Sequence, residues 1–176
     1  MLEGWHEFYA LLGTAAAALV ALLFVAASIG AGYFSAERAS PTRTFTSPIA
    51  FHYTYVLFLS LVSLIPANPD TLLAAIIGVS SAVALIYSSV IFIRVMRSTT
   101  IDFDDRLGYG ASPLVAYAAT LAASVFIFER SLIGPLLLAG ALILLLLVNI
   151  RNAWDLTVFF AQRRSKEDPP ADSAGN

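Results

Sequence analysis

Five stretches of this chain carry no Asp, Glu, Lys or Arg: residues 8–34, 49–65, 71–93, 111–128 and 132–150. An α-helix rises about 1.5 Å per residue, so about 20 apolar residues cross the hydrocarbon core of a bilayer. A charge placed at the centre of such a helix costs about 2.5–3.5 kcal/mol on insertion scales. Five uncharged runs of near-spanning length therefore predict an all-α integral membrane bundle of five transmembrane helices. The second and fourth runs are near the short limit, which leaves them little room to tilt. Composition agrees: 59% of residues are hydrophobic and 12% charged, against about 25% charged in soluble domains. The chain has no cysteine and a net charge of −2, which excludes disulfides, thiolate metal sites and a broadly basic nucleic-acid surface.

The boundaries carry helix punctuation. Ser47-Pro48, Asn68-Pro69 and Ser112-Pro113 each read as an N-cap followed by proline at the first helical position. Pro135 falls in the first turn of the fifth helix, where a missing N–H is tolerated. Pro66 closes the second run. Short turns at 66–70 and 129–131 predict antiparallel hairpins of helices 2 and 3 and of helices 4 and 5. The start, Met1-Leu2-Glu3-Gly4-Trp5-His6-Glu7, has no Lys or Arg and carries two acids, and the apolar run after it exceeds a secretory h-region, so the first helix is expected to be a retained span.

Five spans place the two ends of the bundle on opposite sides. Arg38, Arg43, Arg94, Arg97, Arg106, Arg151, Arg163, Arg164 and Lys166 then share one side, and Arg130 alone takes the other. The positive-inside rule puts the N-terminus outside and the C-terminus in the cytoplasm, with the bacterial cytoplasmic (inner) membrane as the location. Trp5 and Trp154 fall at opposite interfaces, as members of aromatic belts do. Residues 1–164 are expected to form one transmembrane domain, its last helix running on along the interface to about residue 164. Residues 165–176, polar and proline-containing, read as a disordered cytoplasmic tail.

Candidate sites are sparse. Small residues line the first helix, with Gly13, Ala17 and Ala21 in one row and Gly30 in another. Close backbone approach between helices is the reading such rows support in lipid, either inside the bundle or between copies. His52, Tyr55 and Ser63 share a side of helix 2. Ala74, Gly78, Ser81 and Ser88 share a face of helix 3, and Tyr117, Thr120 and Ser124 share one of helix 4. Each hydroxyl needs a partner away from lipid, so these stripes predict interhelical hydrogen bonding, with a polar pathway or small-ligand cavity as the sharper alternative. His52 is the one histidine well inside a predicted span. A structural hydrogen bond to a nearby tyrosine or serine is the plainer reading for it, and a titrating group on a path the other. His6 and Glu7, at the outer end of helix 1, read as interfacial, with cation binding as the alternative.

The acidic loop around Asp102, Asp104 and Asp105 departs from the calcium-loop pattern, because Arg106 and Leu107 stand where a ligand and a glycine are required. Asp105 reads better as a cap for helix 4 or a partner for Arg94 or Arg97. His6 and His52 lie toward opposite faces, and neither accompanies a glycine-flanked serine elbow. Phosphate loops and dinucleotide fingerprints are absent from the sequence. These features predict a chain without catalytic residues, metal or cofactor, and without nucleic acid as a partner.

Several segments together resemble a group of small bacterial inner-membrane proteins: Trp5-His6-Glu7-Phe8, then Gly13-Thr14 with the alanines up to Leu19, then Leu23-Phe24-Val25-Ala26-Ala27-Ser28-Ile29. Ser60-Leu61-Val62-Ser63-Leu64-Ile65-Pro66 is similar to the end of that group's second helix. Asp105-Arg106, Tyr109, Pro113 and Tyr117 are similar to its approach to helix 4, and Asn152-Ala153-Trp154-Asp155 to its C-terminal motif. Some members carry an automated label as modulators of the membrane protease FtsH. The resemblance implies a partner-binding role and assigns no site residues. The function expected from the sequence is a non-enzymatic integral membrane protein acting through protein partners or self-association, in a regulatory capacity. A small oligomeric channel or transporter is the alternative.

The topology is open to direct test. Reporter fusions at Asn176 and after Pro69 are expected to behave as cytoplasmic and external, respectively; the reverse pattern, or both on one side, contradicts five spans.

Overall fold

A computed structural model of the chain describes residues 2–31, 39–66, 69–97 and 110–167. A short 3-10 turn, Glu3–Trp5, leads into five α-helices: α1 (His6–Ala31), α2 (Ala39–Ser63), α3 (Asp70–Arg97), α4 (Ser112–Phe128) and α5 (Ile133–Glu167). Three stretches are long and apolar enough to cross a membrane: His6–Ser28, Asp70–Arg94 and Ile133–Asp155. The apolar parts of α2 and α4, Pro48–Ser63 and Ser112–Phe128, are shorter. Leu22, Phe24, Val79, Val83, Ile86, Leu136 and Leu147 are all more than half exposed, while His52, Ser60, Ser81, Thr120, Asn149 and Asn152 are buried. An aliphatic exterior around a partly polar interior is unfavourable in water. It suggests a multi-pass membrane protein in contact with lipid.

Helix starts differ from the punctuation. Pro48 lies inside α2 and not at its first position, because the helix already begins at Ala39. Proline's fixed φ is compatible with helical backbone, so the ring removes one hydrogen bond without ending the helix. Much of the expected loop before residue 48 is consequently helical. The Pro69 carbonyl accepts the first bond of α3, from the Leu73 N–H at 3.0 Å, so Pro69 caps the helix and Asp70 opens it. At α4 the helix starts on Ser112, after a π turn at Gly110 and Ala111, and Pro113 still falls within its first two positions. Helix α5 continues to Glu167, three residues beyond the expected end of the interfacial segment. The expected roles of Asp105 and of the tail from residue 168 onward lie outside the described residues.

The α4–α5 connection is a complete helix-ending motif. The Ser131 N–H donates to the Phe126 carbonyl at 2.9 Å and the Arg130 N–H to the Ile127 carbonyl at 3.0 Å. This is the Schellman arrangement, which needs a left-handed residue where glycine is usual. Arg130 occupies it with φ 56°. Its side chain lies 3.7 Å from the Asp70 carboxylate, tying this turn to the start of α3. The Tyr9 hydroxyl donates to the Pro135 carbonyl at 3.3 Å, which places the start of α1 at the same end of the bundle.

Backbones approach closely in the pairs α1–α2, α3–α4 and α4–α5, and less extensively in α2–α5. The expected α2–α3 hairpin is a weak one: the two helices are joined by a short connection, yet their backbones meet at few points. Small residues explain the close pairs. A Cβ on Gly13 would stand 3.1 Å from Ser60 Cβ in α2, and a Cβ on Gly78 would stand 3.1 Å from Ser124 Oγ in α4. Along the facing sides of α2 and α3 stand Phe51, Tyr55 and Tyr87, whose bulk keeps the backbones apart.

Gly134 is the tightest of these positions against main chain. A Cβ there would lie 2.8 Å from the Ile127 nitrogen and 2.7 Å from Ile127 Cγ1. Gly134→Ala is expected to destabilise the protein by about 1–3 kcal/mol through this overpacking. Gly140→Ala, where a Cβ meets nothing within 4 Å, should be neutral or stabilising by up to about 1 kcal/mol. Thermal unfolding of both variants in detergent checks the contrast; equal stabilities would contradict it.

Candidate functional site

The polar side chains of three helices converge where α2 faces α3 and α4. His52 is four residues after Pro48 and Tyr55 nearly one turn further, so both project toward the same neighbours. His52 Nδ1 and the Tyr117 hydroxyl are 2.5 Å apart. The Tyr55 hydroxyl lies 2.8 Å from Ser81 Oγ in α3 and 3.2 Å from Thr120 Oγ1 in α4. Ring contacts join the two pairs: Tyr55 meets Tyr117 edge-on with centroids 4.9 Å apart, and Phe51 packs on Tyr87 at 4.4 Å. His52, Tyr55, Ser81, Tyr117 and Thr120 are all buried.

Proton bookkeeping constrains this cluster. Ser81 Oγ donates to the Ile77 carbonyl at 2.6 Å, and Thr120 Oγ1 donates to the Tyr117 carbonyl at 2.9 Å. With the Ser81 proton so used, Tyr55 donates to Ser81. One tyrosine proton serves one strong bond, so the longer Tyr55–Thr120 contact has a proton only when Thr120 turns its own away from the Tyr117 carbonyl. The three hydroxyls thus make four contacts with three protons, an arrangement that admits more than one state. At His52, a neutral ring bonded through Nδ1 either accepts from Tyr117 or donates to it, according to tautomer.

Of the stripes anticipated on α2, α3 and α4, His52, Tyr55, Ser81, Tyr117 and Thr120 are brought together here, and Ser63, Ala74, Gly78, Ser88 and Ser124 are not. Ser63 bonds its own helix at the Leu59 carbonyl, 2.8 Å away, and Ser88 is buried elsewhere on α3. Ser124 donates to the Leu121 carbonyl and packs on Gly78. His6 is half-buried and Glu7 exposed at the start of α1, far from the cluster. The small row of α1 divides: Gly13 is buried, whereas Ala17 and Ala21 are exposed. The surroundings of Gly30 lie outside the described residues. Among the described residues, no group of three or more His, Cys, Asp or Glu side chains is placed to hold a metal ion.

Three buried atoms have no hydrogen-bond partner among the described residues: the Tyr53 hydroxyl, Ser60 Oγ and Asn149 Oδ1. Asn149, fully buried, spends its amide N–H on the Leu145 carbonyl at 2.6 Å. Sequence reasoning passed over Asn149 and Tyr53. The available signal was an amide at the end of the aliphatic run Leu144-Leu145-Leu146-Leu147-Val148, where polar groups are costly in lipid.

No protein-family model matches this chain, and neither a curated protein nor a solved structure does.

Proposed function

We propose that the chain is a five-span protein of the bacterial cytoplasmic membrane, with its N-terminus outside and its C-terminus in the cytoplasm. On this reading it has no catalysis of its own and acts through self-association or a membrane-protein partner in a regulatory role. The nine-to-one division of basic residues supports the orientation. Trp5 at the start of α1 and the exposed Trp154 late in α5 suit opposite interfaces.

The observation that carries the partner-binding reading is the far part of α1. Leu12, Gly13 and Ala16 are buried against the bundle, but none of residues 17–28 is. That exposed length presents Ala17, Ala18 and Ala21 beside Leu22, Phe24 and Val25. In lipid, helices associate by close packing of such small faces, without help from the hydrophobic effect. The polar cluster weighs against a pathway within one chain, since its hydroxyls and imidazole bond to each other and no charged side chain lies among them.

Bulk separates the two parts of α1. Gly13→Leu is expected to destabilise the fold by about 1–3 kcal/mol by displacing Ser60 and α2. Ala17→Leu and Ala21→Leu should leave stability within about 0.5 kcal/mol and shift the assembled state to smaller species, read by mass photometry in nanodiscs. The same assembled state in both alanine variants and the unaltered chain would end the proposal that this face is the contact.

A further inference from the structure

The bundle is held in two different ways, and the difference has a consequence for its dynamics. The pairs α1–α2 and α3–α4 close on a glycine against a serine, and α4–α5 on Gly134 against Ile127, backbone near backbone. Across the seam between α2 and the α3–α4 pair, contact is made by the ends of long side chains: His52 to Tyr117, Tyr55 to Ser81 and Thr120, Phe51 to Tyr87. Hydrogen bonds between side-chain termini can exchange for bonds to water with little change in the helices that bear them. Close small-residue packing cannot open without separating backbones.

We propose that His52 is an acid-operated latch on this seam: protonation of its imidazole places an uncompensated charge against Tyr117 and shifts the bundle toward a form in which α2 parts from α3 and α4 and water enters between them. The proposal is independent of what α1 contacts. A neutral imidazole offers one donor and one acceptor, whereas the protonated ring offers two donors and a full positive charge. Where Tyr117 donates to Nδ1, uptake of a proton there reverses the bond and the hydroxyl must turn to accept; where Nδ1 already donates, the proton goes to Nε2 and the bond is kept. In the closed seam the charge has no counter-ion among the described residues. Among the described residues the titratable groups facing His52 are Tyr117 from α4 and, through Phe51, Tyr87 from α3, with Tyr55 on its own helix. Among the described side chains of α1 and α5 the charged groups are exposed or half-exposed: His6 and Glu7 at the start of α1, Arg151 and Asp155 midway along α5. The same holds for Asp70 and Arg94 on α3.

The sign follows from linkage. An unpaired charge is costly in an apolar interior and cheap in water, so the open form binds the proton more tightly than the closed form. Lowering the pH therefore raises the open population, and raising it restores the closed seam. A ligand or proton moves such an equilibrium only by its difference in affinity for the two forms.

The absence of native cysteine makes a clean test available. Single-cysteine chains carrying Ser81→Cys or Thr120→Cys report on the seam, and the exposed Thr157→Cys normalises for the pH dependence of thiol chemistry. Each is treated in proteoliposomes with a water-soluble methanethiosulfonate between about pH 8 and about pH 5, across the range in which histidine titrates. The normalised rate at position 81 or 120 is expected to rise at least about tenfold on acidification, a population shift of that size. In a His52→Gln background, which keeps a donor and an acceptor but takes up no proton, it should be flat. A pH-independent rate with His52 present, or an equal rise in His52→Gln, overturns the proposal. Hydrogen–deuterium exchange of the unsubstituted chain and of His52→Gln, corrected for intrinsic rates, covers the case in which neither cysteine variant folds. Selective acid-induced exposure of segments 52–56 and 117–120 in the former alone is the supporting result, and identical profiles are the contrary one.

Discussion

A polar group inside an apolar bundle in lipid has no water to fall back on, and most of the interior follows from that constraint. Five serines and threonines in α3 and α4 turn their hydroxyls back onto a carbonyl three or four residues earlier: Ser80, Ser81, Ser89, Thr120 and Ser124. This satisfies the donor within the helix and leaves the oxygen's remaining acceptor capacity facing outward. Tyr55 uses that capacity. Its hydroxyl donates to the Ser81 oxygen on α3 at 2.8 Å and lies 3.2 Å from the Thr120 oxygen on α4. The interhelical network is therefore built on bonds that each helix has already made for itself, and only the tyrosines and His52 commit their polar groups mainly to a neighbour.

The same constraint sorts the helix contacts by distance. Where a glycine meets a serine, as at Gly13–Ser60 and Gly78–Ser124, the backbones come together and dispersion holds the pair. Where aromatic rings and an imidazole stand between helices, the gap is wider and the bonds sit at the ends of side chains. α2 takes part in both kinds of contact, close to α1 on one side and at arm's length from α3 and α4 on the other. A helix placed in this way is the natural moving part of the bundle. Two of the three buried polar atoms without a partner among the described residues, the Tyr53 hydroxyl and Ser60 Oγ, lie on α2.

Much of this was legible in the sequence, because hydrophobic run length and the absence of charge are long-range signals that survive errors of a few residues. The five helices and the polar stripes of α2, α3 and α4 belong to that class. Which stripe residues touch was not legible, since that depends on helix rotation: Tyr117 with His52, and not Ser124 or Ser63, joins the cluster. Pro48 misled because a proline preceded by a polar residue is a start signal only where no helix already runs into it. The α2–α3 connection is short, and short connections usually imply close packing, but the bulk of Phe51, Tyr55 and Tyr87 holds these helices apart. In α1, Ala16 and Ala17 are alike in sequence and differ only in which way they point.

The account rests on the His52–Tyr117 contact acting as a real tie between α2 and α4. A double-mutant cycle with His52→Leu and Tyr117→Phe, singly and together, measures it by reversible unfolding in detergent at neutral pH. Either single change is expected to destabilise by about 1–3 kcal/mol through the polar group left unpaired, and the double variant to lose less than the sum by about 1 kcal/mol or more. Losses that add to within about 0.3–0.5 kcal/mol, as independent sites do, would show that the two residues are merely neighbours and would contradict it.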